Sequence, residues 1–277
     1  MDATPMTNLL IVAGVLALSF ALRTSRLRLL RKAGALGILG ATFLAFYFFT
    51  NSVAAGVVGV LLWFLLPWVE LLTRIRRLRL PIGKTLEREA PPGHSRFPEL
   101  NELTREIEDE GFEYVADSGW DWDGMHQFYR LFYHGENREQ ASICLTEQDG
   151  MAWASLALTT RDRRGTTYRT TNLPFSSPMK MPPDICLRQA PDAESFASLL
   201  ETHRHWMNGL AFLPEHLVAE DPDQLTGLIE QETGRQIRHN LDTGLIKPGE
   251  ASGTFRYSWR GLVYLYCQLV KDMVRMS

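Results

Sequence analysis

LLIVAGVLALSFAL (residues 9–22), AGALGILGATFLAFYFFT (residues 33–50) and VAAGVVGVLLWFLLPWV (residues 53–69) are three apolar runs without a charged residue, and they decide the fold of the first third of the chain. A helix needs about 20 mostly apolar residues to cross a hydrocarbon core of about 30 Å. One helix from Ala33 to Leu72 would be about 60 Å long, so the second and third runs must be two helices joined at the polar pair Asn51-Ser52. We predict three transmembrane helices, at about residues 7–22, 33–50 and 53–72.

Basic residues flank these runs on one predicted side of the membrane. They cluster in residues 23–32 and again in residues 74–84, and the positive-inside rule places both clusters in the cytoplasm. The Asn51-Ser52 turn and the N-terminus, which carries Asp2 and no lysine or arginine, then lie outside. The prediction is a multi-pass protein of the cell (inner) membrane, with its N-terminus outside and its C-terminal domain cytoplasmic.

Two alternatives concern the first apolar run. A cleaved signal peptide has its positive charges before the apolar core, whereas here the charges follow it. The run is also short, so a two-span protein with an interfacial N-terminal helix is the other alternative.

Small residues recur in the runs at intervals that suit close helix packing. Packing of the three helices within one chain is the simpler interpretation, and a homo-oligomer or a protein partner held through the same faces is the alternative. The residues are Ala13, Ala17 and Ala21, then Gly34, Gly37 and Gly40, then Gly56 and Gly59.

Charge divides the chain into two parts that suit different surroundings. Residues 1–84 hold ten basic and two acidic residues, a net charge of +8, which suits a lipid bilayer as partner. Since the chain has 29 basic and 32 acidic residues, residues 85–277 hold 19 and 30, a net charge of −11. An acidic domain without a basic run argues against nucleic acid as a partner.

The part after the apolar runs predicts an α+β domain. Residues 81–98 are rich in proline and read as a linker between a membrane segment, residues 1–80, and a cytoplasmic domain, residues 99–277. Period-two alternation and turn signals predict an antiparallel meander sheet of five or six strands covered by helices. The strands are expected at 112–117, 125–134, 140–146, 152–160, 166–171 and 185–189, and the helices at 99–110, 193–207, 222–242 and 259–276. For the last helix, core packing is the default, and a membrane-interface or partner-binding role is the alternative.

The segment DSGWDWDG (residues 117–124) is the most distinctive candidate site. Closely spaced carboxylates before a glycine can hold a hard cation, which makes Asp117, Asp121 and Asp123 candidate metal ligands. The segment lacks the ligand ladder of an EF-hand, so a solvated acidic loop between two strands is the favoured interpretation. Trp120 and Trp122 are unusual in a turn and are candidate partner-binding residues.

Other polar features give weaker signals. Successive helix residues point about 100° apart, so His203 and His205, which are two residues apart, diverge and are not spaced to chelate one ion. The polar residues Thr170-Thr171-Asn172 and Ser176-Ser177 could line a ligand groove beside the sheet. The three cysteines are dispersed, which is typical of reduced thiols, and no cofactor motif is present in the sequence.

Three hypotheses of function follow. The first is a membrane-anchored cytoplasmic binding or sensing domain, non-enzymatic, for an unknown ligand. The second is a membrane-bound enzyme, such as a hydrolase, with a site near the acidic loop that uses Asp121, Asp123 and His203. The third is an accessory subunit of a larger membrane complex.

Overall fold

A computed structural model describes residues 3–25, 27–210, 212 and 214–276. The helices are α1 (Ala3–Arg23), α2 (Arg28–Thr50), α3 (Val53–Thr73), α4 (Leu100–Asp109), α5 (Phe196–Gly209), α6 (Leu225–Asp242) and α7 (Trp259–Met276). The strands are β1 (Leu80–Pro81), β2 (Glu87–Arg88), β3 (Glu113–Trp122), β4 (Met125–His134), β5 (Glu139–Gln148), β6 (Met151–Arg161), β7 (Thr167–Thr171), β8 (Ile185–Gln189), β9 (Ile246–Pro248) and β10 (Thr254–Tyr257). The fold is α+β, as predicted. Its residues form two compact units, Met1–Leu78 with Leu262–Ser277, and Arg79–Gly261.

The first unit contains three helices that are long and apolar enough to cross a membrane, at Pro5–Arg23, Leu29–Thr50 and Val53–Arg77. Many of their large apolar side chains are exposed, as is normal for surfaces in contact with lipid. These helices indicate a membrane-associated protein. The break between α2 and α3 falls where the sequence placed it, with Asn51 in the left-handed region (φ 52°) and the Ser52 hydroxyl accepting a hydrogen bond from the Ala55 amide.

Glycines allow these helices to approach each other closely. A Cβ atom on Gly34 would lie 2.6 Å from the carbonyl oxygen of Ser19 on α1, and one on Gly56 would lie 2.6 Å from the ring of Phe43 on α2. Gly37 also faces Ser19, whereas Gly40 has open space around it. Most of the small residues of α2 and α3 therefore serve packing within the chain.

The last helix differs from its predicted placement. The sequence assigned residues 259–276 to the soluble domain, but from Leu262 onward they group with the apolar helices. Tyr266 stacks on Trp68 with ring centroids 4.9 Å apart, and Val270 and Val274 continue the same face at intervals of four residues. An apolar stripe at helical spacing can pack on another helix as readily as on a sheet, so the sequence alone could not choose between them.

The second unit is built on a seven-stranded mixed sheet with strand order β2-β3-β4-β5-β6-β7-β8. The predicted five or six antiparallel strands are wrong in two respects. First, the predicted linker 81–98 supplies β2, which pairs with β3 at the sheet edge. Second, β8 runs parallel to β7, because the chain that links them returns to the end of the sheet at which β7 begins. A separate antiparallel sheet of three short strands has the order β1-β10-β9.

The two faces of the large sheet carry different side chains. On one face, α4 and α5 cover an apolar core that includes Phe128, Phe132, Ile143 and Leu158. On the other face, Leu131 and Tyr133 pack with Leu225, Leu228 and Ile229 of α6. The alternation in β4 that the sequence showed is therefore real, and both of its faces are covered by helices.

Candidate functional site

The α6 side of the central strands is lined by short side chains. In the cross-strand register, Ser142 of β5 lies between Leu131 and Ala157, and Cys144 lies between Tyr129 and Ser155. Further along, Thr171 neighbours Ala157. The opposite face at the same strands carries Phe128, Ile143, Leu145, Leu156 and Leu158. Small residues on one face only leave space between the sheet and the helix that covers it.

This space is a half-enclosed cavity of about 420 Å³. Its floor is the sheet, one wall is α6 with Glu232, Thr233 and Gln236, and another wall is the segment that links β7 to β8. That wall contributes apolar and hydroxyl groups, Leu173, Phe175, Ser176, Ser177, Pro178 and Met181. The volume is within the range of small-molecule sites in proteins.

Lys84 lies behind one part of the cavity wall and does not itself line the cavity. Its ammonium nitrogen donates to the Gln127 Oε1 at 2.7 Å and to the Tyr129 hydroxyl at 2.9 Å, and both partners line the cavity. The same nitrogen lies 4.5 Å from the Tyr129 ring centroid and 4.9 Å from that of Trp120, within the range of cation–π attraction. Burial lowers the pKa of Lys84 to about 8.

The other groups beside Lys84 are held neutral. Burial raises the pKa of the Tyr129 phenol well above its ordinary value. Burial also raises the pKa of the Cys144 thiol, whose sulfur lies 3.7 Å from the Thr146 hydroxyl. Cys144, which is partly buried, therefore has the character of a neutral thiol and not of a thiolate nucleophile.

Another part of the wall contains a buried ionic network centred on Glu232. The carboxylate accepts from Arg161 Nε at 3.0 Å and Nη2 at 2.7 Å, and its other oxygen is bound by Arg169. Arg161 also donates to Gln140 at 3.0 Å, and Arg169 donates to the Thr159 hydroxyl at 3.1 Å. Burial alone would raise the pKa of Glu232, but Arg169 and Arg161 outweigh it and lower that pKa below its ordinary value.

Helix α6 also fixes the wall that closes the cavity. The fully buried Asn240 accepts from the Lys180 amide at 3.0 Å and donates to the Lys180 carbonyl at 2.8 Å. One turn earlier, Gln236 donates to the Met179 carbonyl at 3.3 Å. The segment is thus held by its backbone, which gives the cavity a defined shape although that wall has no regular secondary structure.

The acidic segment 117–124 does not form the loop that the sequence predicted. Strand β3 continues to Trp122, and only Asp123 and Gly124, with φ of 46° and 78°, make the hairpin turn. A two-residue turn with both residues at positive φ is the tight hairpin type that Asp-Gly favours. Asp117 and Asp121 share a face of β3 but are about 13 Å apart along the strand, and Asp123 is in the turn, so the three carboxylates do not converge as they would on an open loop.

Each candidate metal ligand has its own surroundings. Asp117 is buried and bound by Arg130 through two hydrogen bonds, of 2.8 Å to Nε and 2.7 Å to Nη2. Asp121 pairs with His126 Nδ1 at 2.8 Å. Within the described ranges, no three histidine, cysteine, aspartate or glutamate side chains are grouped as a metal site would require.

The two candidate partner-binding tryptophans are engaged within the domain. The Trp120 ring lies against Lys84, and Trp122 donates from its indole nitrogen to the Arg79 carbonyl at 2.9 Å. Both are partly buried. Their role toward a partner stays a prediction, while their packing explains why tryptophan is found so close to a turn.

His203 lies far from the acidic carboxylates of the enzyme hypothesis. It is fully buried on the α5 side of the sheet, with Nε2 2.8 Å from the Thr160 hydroxyl and Nδ1 2.8 Å from that of Thr170. The register places Asp121 level with Ala152 of β6, eight residues from Thr160 and so about 26 Å along the strand. Asp121 and His203 therefore do not share a site.

The polar loop residues did mark the right region. Thr171, Ser176 and Ser177 line the cavity, and Asn172 accepts a hydrogen bond from the Leu156 amide at 2.7 Å. Sequence reasoning missed Lys84, placed in a linker, and the network of Glu232 with its two arginines. The available signal was the run of Ser, Cys, Ala and Thr on one face of two central strands.

No protein-family model, no curated protein and no solved structure matches this chain.

Proposed function

We propose that this chain is a membrane-anchored binding or sensing protein whose sheet domain, Arg79–Gly261, holds a small polar ligand between the sheet and α6. The observation that carries the proposal is the cavity of about 420 Å³ lined by short polar side chains. A face built for stability alone would be filled with large apolar side chains, because interiors are close-packed and empty space is destabilising. Here the central sheet positions that line the cavity are short residues, namely Ser142, Cys144, Ser155, Ala157 and Thr171.

The lining indicates the chemistry of the ligand. Amide and hydroxyl groups such as Gln127, Ser142, Thr171 and Gln236 can each donate and accept hydrogen bonds. Trp153 and Phe175, in edge contact with ring centroids 6.3 Å apart, supply an aromatic wall. Arg169 lines the cavity and Lys84 binds the lining residues Gln127 and Tyr129, so the site favours a neutral or singly anionic molecule that has several hydrogen-bonding groups and an apolar part.

Binding is favoured over catalysis by the protonation of the groups around the cavity. The raised pKa values of Cys144 and Tyr129 keep both groups neutral near pH 7. To act as a nucleophile or general base, either group would need the reverse, a pKa shifted toward the working pH. Lys84 has such a shift, to about 8, but its side chain does not line the cavity. The residues named for the enzyme hypothesis, Asp121 and His203, lie apart from each other, which also favours the non-enzymatic proposal.

The experiment measures ligand-induced stabilisation of the full chain in detergent. A panel of neutral and monoanionic metabolites is screened by thermal unfolding, and a ligand at about 100 times its Kd should stabilise the fold by about 2.7 kcal/mol. Ala157→Phe, which places a ring in the cavity, should abolish the effect of any hit. The matched control is Ala154→Phe, on the same strand but on an exposed position of the opposite face.

Two results would contradict the proposal. One is a panel in which no compound stabilises the wild-type chain. The other is a hit that stabilises the Ala157→Phe variant as much as it stabilises wild type, because such a compound would bind elsewhere. Circular dichroism of both variants checks that each one is folded.

A further inference from the structure

A groove in the first unit has the chemistry of a lipid site. It has a volume of about 320 Å³ and is almost entirely apolar, with walls from α2, α3 and α7. The α3 wall is Trp63 and Phe64, and the α7 wall includes Val270 and Val274. Leu36, Trp63 and Val274 are exposed along it.

Two cations lie at one end of this groove. Arg23 is the last residue of α1 and Lys32 is in the first turns of α2, and both are exposed. Within the residues that the structure describes, neither has an acidic partner. From Lys32 the groove extends along α2 to Leu39, which is seven residues and about 10 Å further along the helix.

The groove resembles a phospholipid in its distribution of polarity. It has positive charge at one end, where a phosphate could bind, and an apolar remainder along α2, where an acyl chain could lie. We propose that the groove binds an anionic phospholipid, with an acyl chain against Leu39 and Trp63 and the phosphate between Arg23 and Lys32. In a bilayer an apolar groove of this kind faces acyl chains, and basic residues at the membrane surface attract anionic headgroups.

A second copy of the chain is a poorer occupant of the groove. Residues 1–84 carry a net charge of +8, so a second copy would bring more positive charge to Arg23 and Lys32. Residues 9–84, which are the three apolar runs and their basic flanks, contain a single acidic residue, Glu70. Charge complementarity therefore favours the lipid phosphate.

The test uses the full chain purified in detergent and native mass spectrometry. Palmitoyl-oleoyl phosphatidylglycerol and palmitoyl-oleoyl phosphatidylcholine, which share their acyl chains, are added in equal amounts. Wild type should retain the anionic lipid in preference. Arg23→Gln with Lys32→Gln should lower its affinity by roughly 5-fold for each cation removed, since one basic residue near the surface contributes about a 5-fold effect.

Two further variants test separately whether lipid binding depends on the two cations and on the shape of the groove. Arg76→Gln with Arg77→Gln removes two cations that do not line the groove and should leave the preference unchanged. Ala35→Trp narrows the groove and should reduce retention of both lipids with the cations intact. Helical content by circular dichroism checks that each variant is folded.

Three outcomes would overturn the proposal. They are equal retention of the two lipids by wild type, an anionic preference that survives loss of both cations, and a lipid-free dimer that disappears in Ala35→Trp. The last outcome would identify a second copy as the occupant.

Discussion

At the scale of single residues, the most informative side chains are buried polar groups whose partners are far away in the sequence. Lys84, Glu232 and His203 each have an ionisable group surrounded by protein, and each has a pKa moved from its ordinary value. Glu232 lines the cavity and Lys84 is bound to two of its lining residues, whereas His203 supports the opposite face of the sheet. Shifted pKa values thus occur at both the candidate site and a structural position, and geometry is needed to tell them apart.

His203 makes folding stability depend on pH. Burial lowers its folded-state pKa to about 4, below the unfolded value of 6.5, so between these pH values the unfolded chain binds more protons. Its contribution to stability is complete above about pH 6.5 and is lost as the pH falls toward 4, by up to about 3 kcal/mol. The measurement is thermal unfolding of the full chain at several pH values between 4 and 7.5.

Comparison of variants isolates this histidine from other titrating groups. His203→Gln should be less stable than wild type at pH 7 and should lose stability less steeply on acidification. His205→Gln removes an exposed histidine of the same helix and should follow the wild-type pH profile. If His203→Gln keeps the full wild-type pH dependence, the neutral buried state inferred for His203 is wrong.

At the scale of elements, the same physical rule operates in both units, namely that small residues allow backbones or ligands to come close. In the first unit, Gly34 and Gly37 place α2 against Ser19 of α1. In the second unit, Ser142, Ser155 and Ala157 leave room between β5, β6 and α6. The space above the glycines is filled by Ser19, whereas the space between the sheet and α6 is not filled by protein. The second space is therefore a candidate site.

Two glycines of α2 provide a matched test of helix packing. Gly37→Leu should disrupt the α1–α2 contact, because its side chain would overlap Ser19, and should lower the unfolding temperature of the full chain by several degrees. Gly40→Leu has open space and should be tolerated. Thermal unfolding in detergent measures both.

The same pair of variants distinguishes intramolecular packing from assembly. If Gly40→Leu, rather than Gly37→Leu, changes the oligomeric mass measured by light scattering, then the open glycine mediates contacts between chains, as the homo-oligomer alternative requires. If neither variant changes stability or mass, the packing interpretation of these glycines is wrong.

At the scale of the whole molecule, a strongly basic apolar segment and an acidic sheet domain belong to one chain. This asymmetry motivates the proposed topology, with the sheet domain in the cytoplasm and the Asn51-Ser52 turn outside. The proposed binding function requires only that the cavity be accessible from the compartment that holds the ligand.

The topology is testable in intact cells. A single cysteine introduced at Ser52 in a variant without the native cysteines should be labelled by a membrane-impermeant maleimide, and a C-terminal tag should resist external protease. The cysteine control is Ser95→Cys, which is exposed in the second unit and should be labelled only after lysis. Digestion of the tag in intact cells would show that the orientation is the reverse of the proposed one.

The sequence by itself determined the parts of this protein that depend on local patterning. The length of the apolar runs predicted three helices, and the period-two alternation predicted that β4 is a strand whose two faces carry different side chains. Helices were expected on one face of the sheet, and the structure has them on both. Both signals are local, because a helix or a strand repeats its environment every few residues.

Only the tertiary structure decided the parallel pairing of β8, the use of the linker as β2, the packing of α7 and the existence of the cavity. Each of these depends on which distant residues meet. Ser142, Ser155 and Thr171 are unremarkable along the chain, and they leave an opening only because strand register places them side by side beneath α6. The direction of a strand or the partner of an apolar stripe is likewise set by chain crossings and long-range packing, which local patterning does not encode.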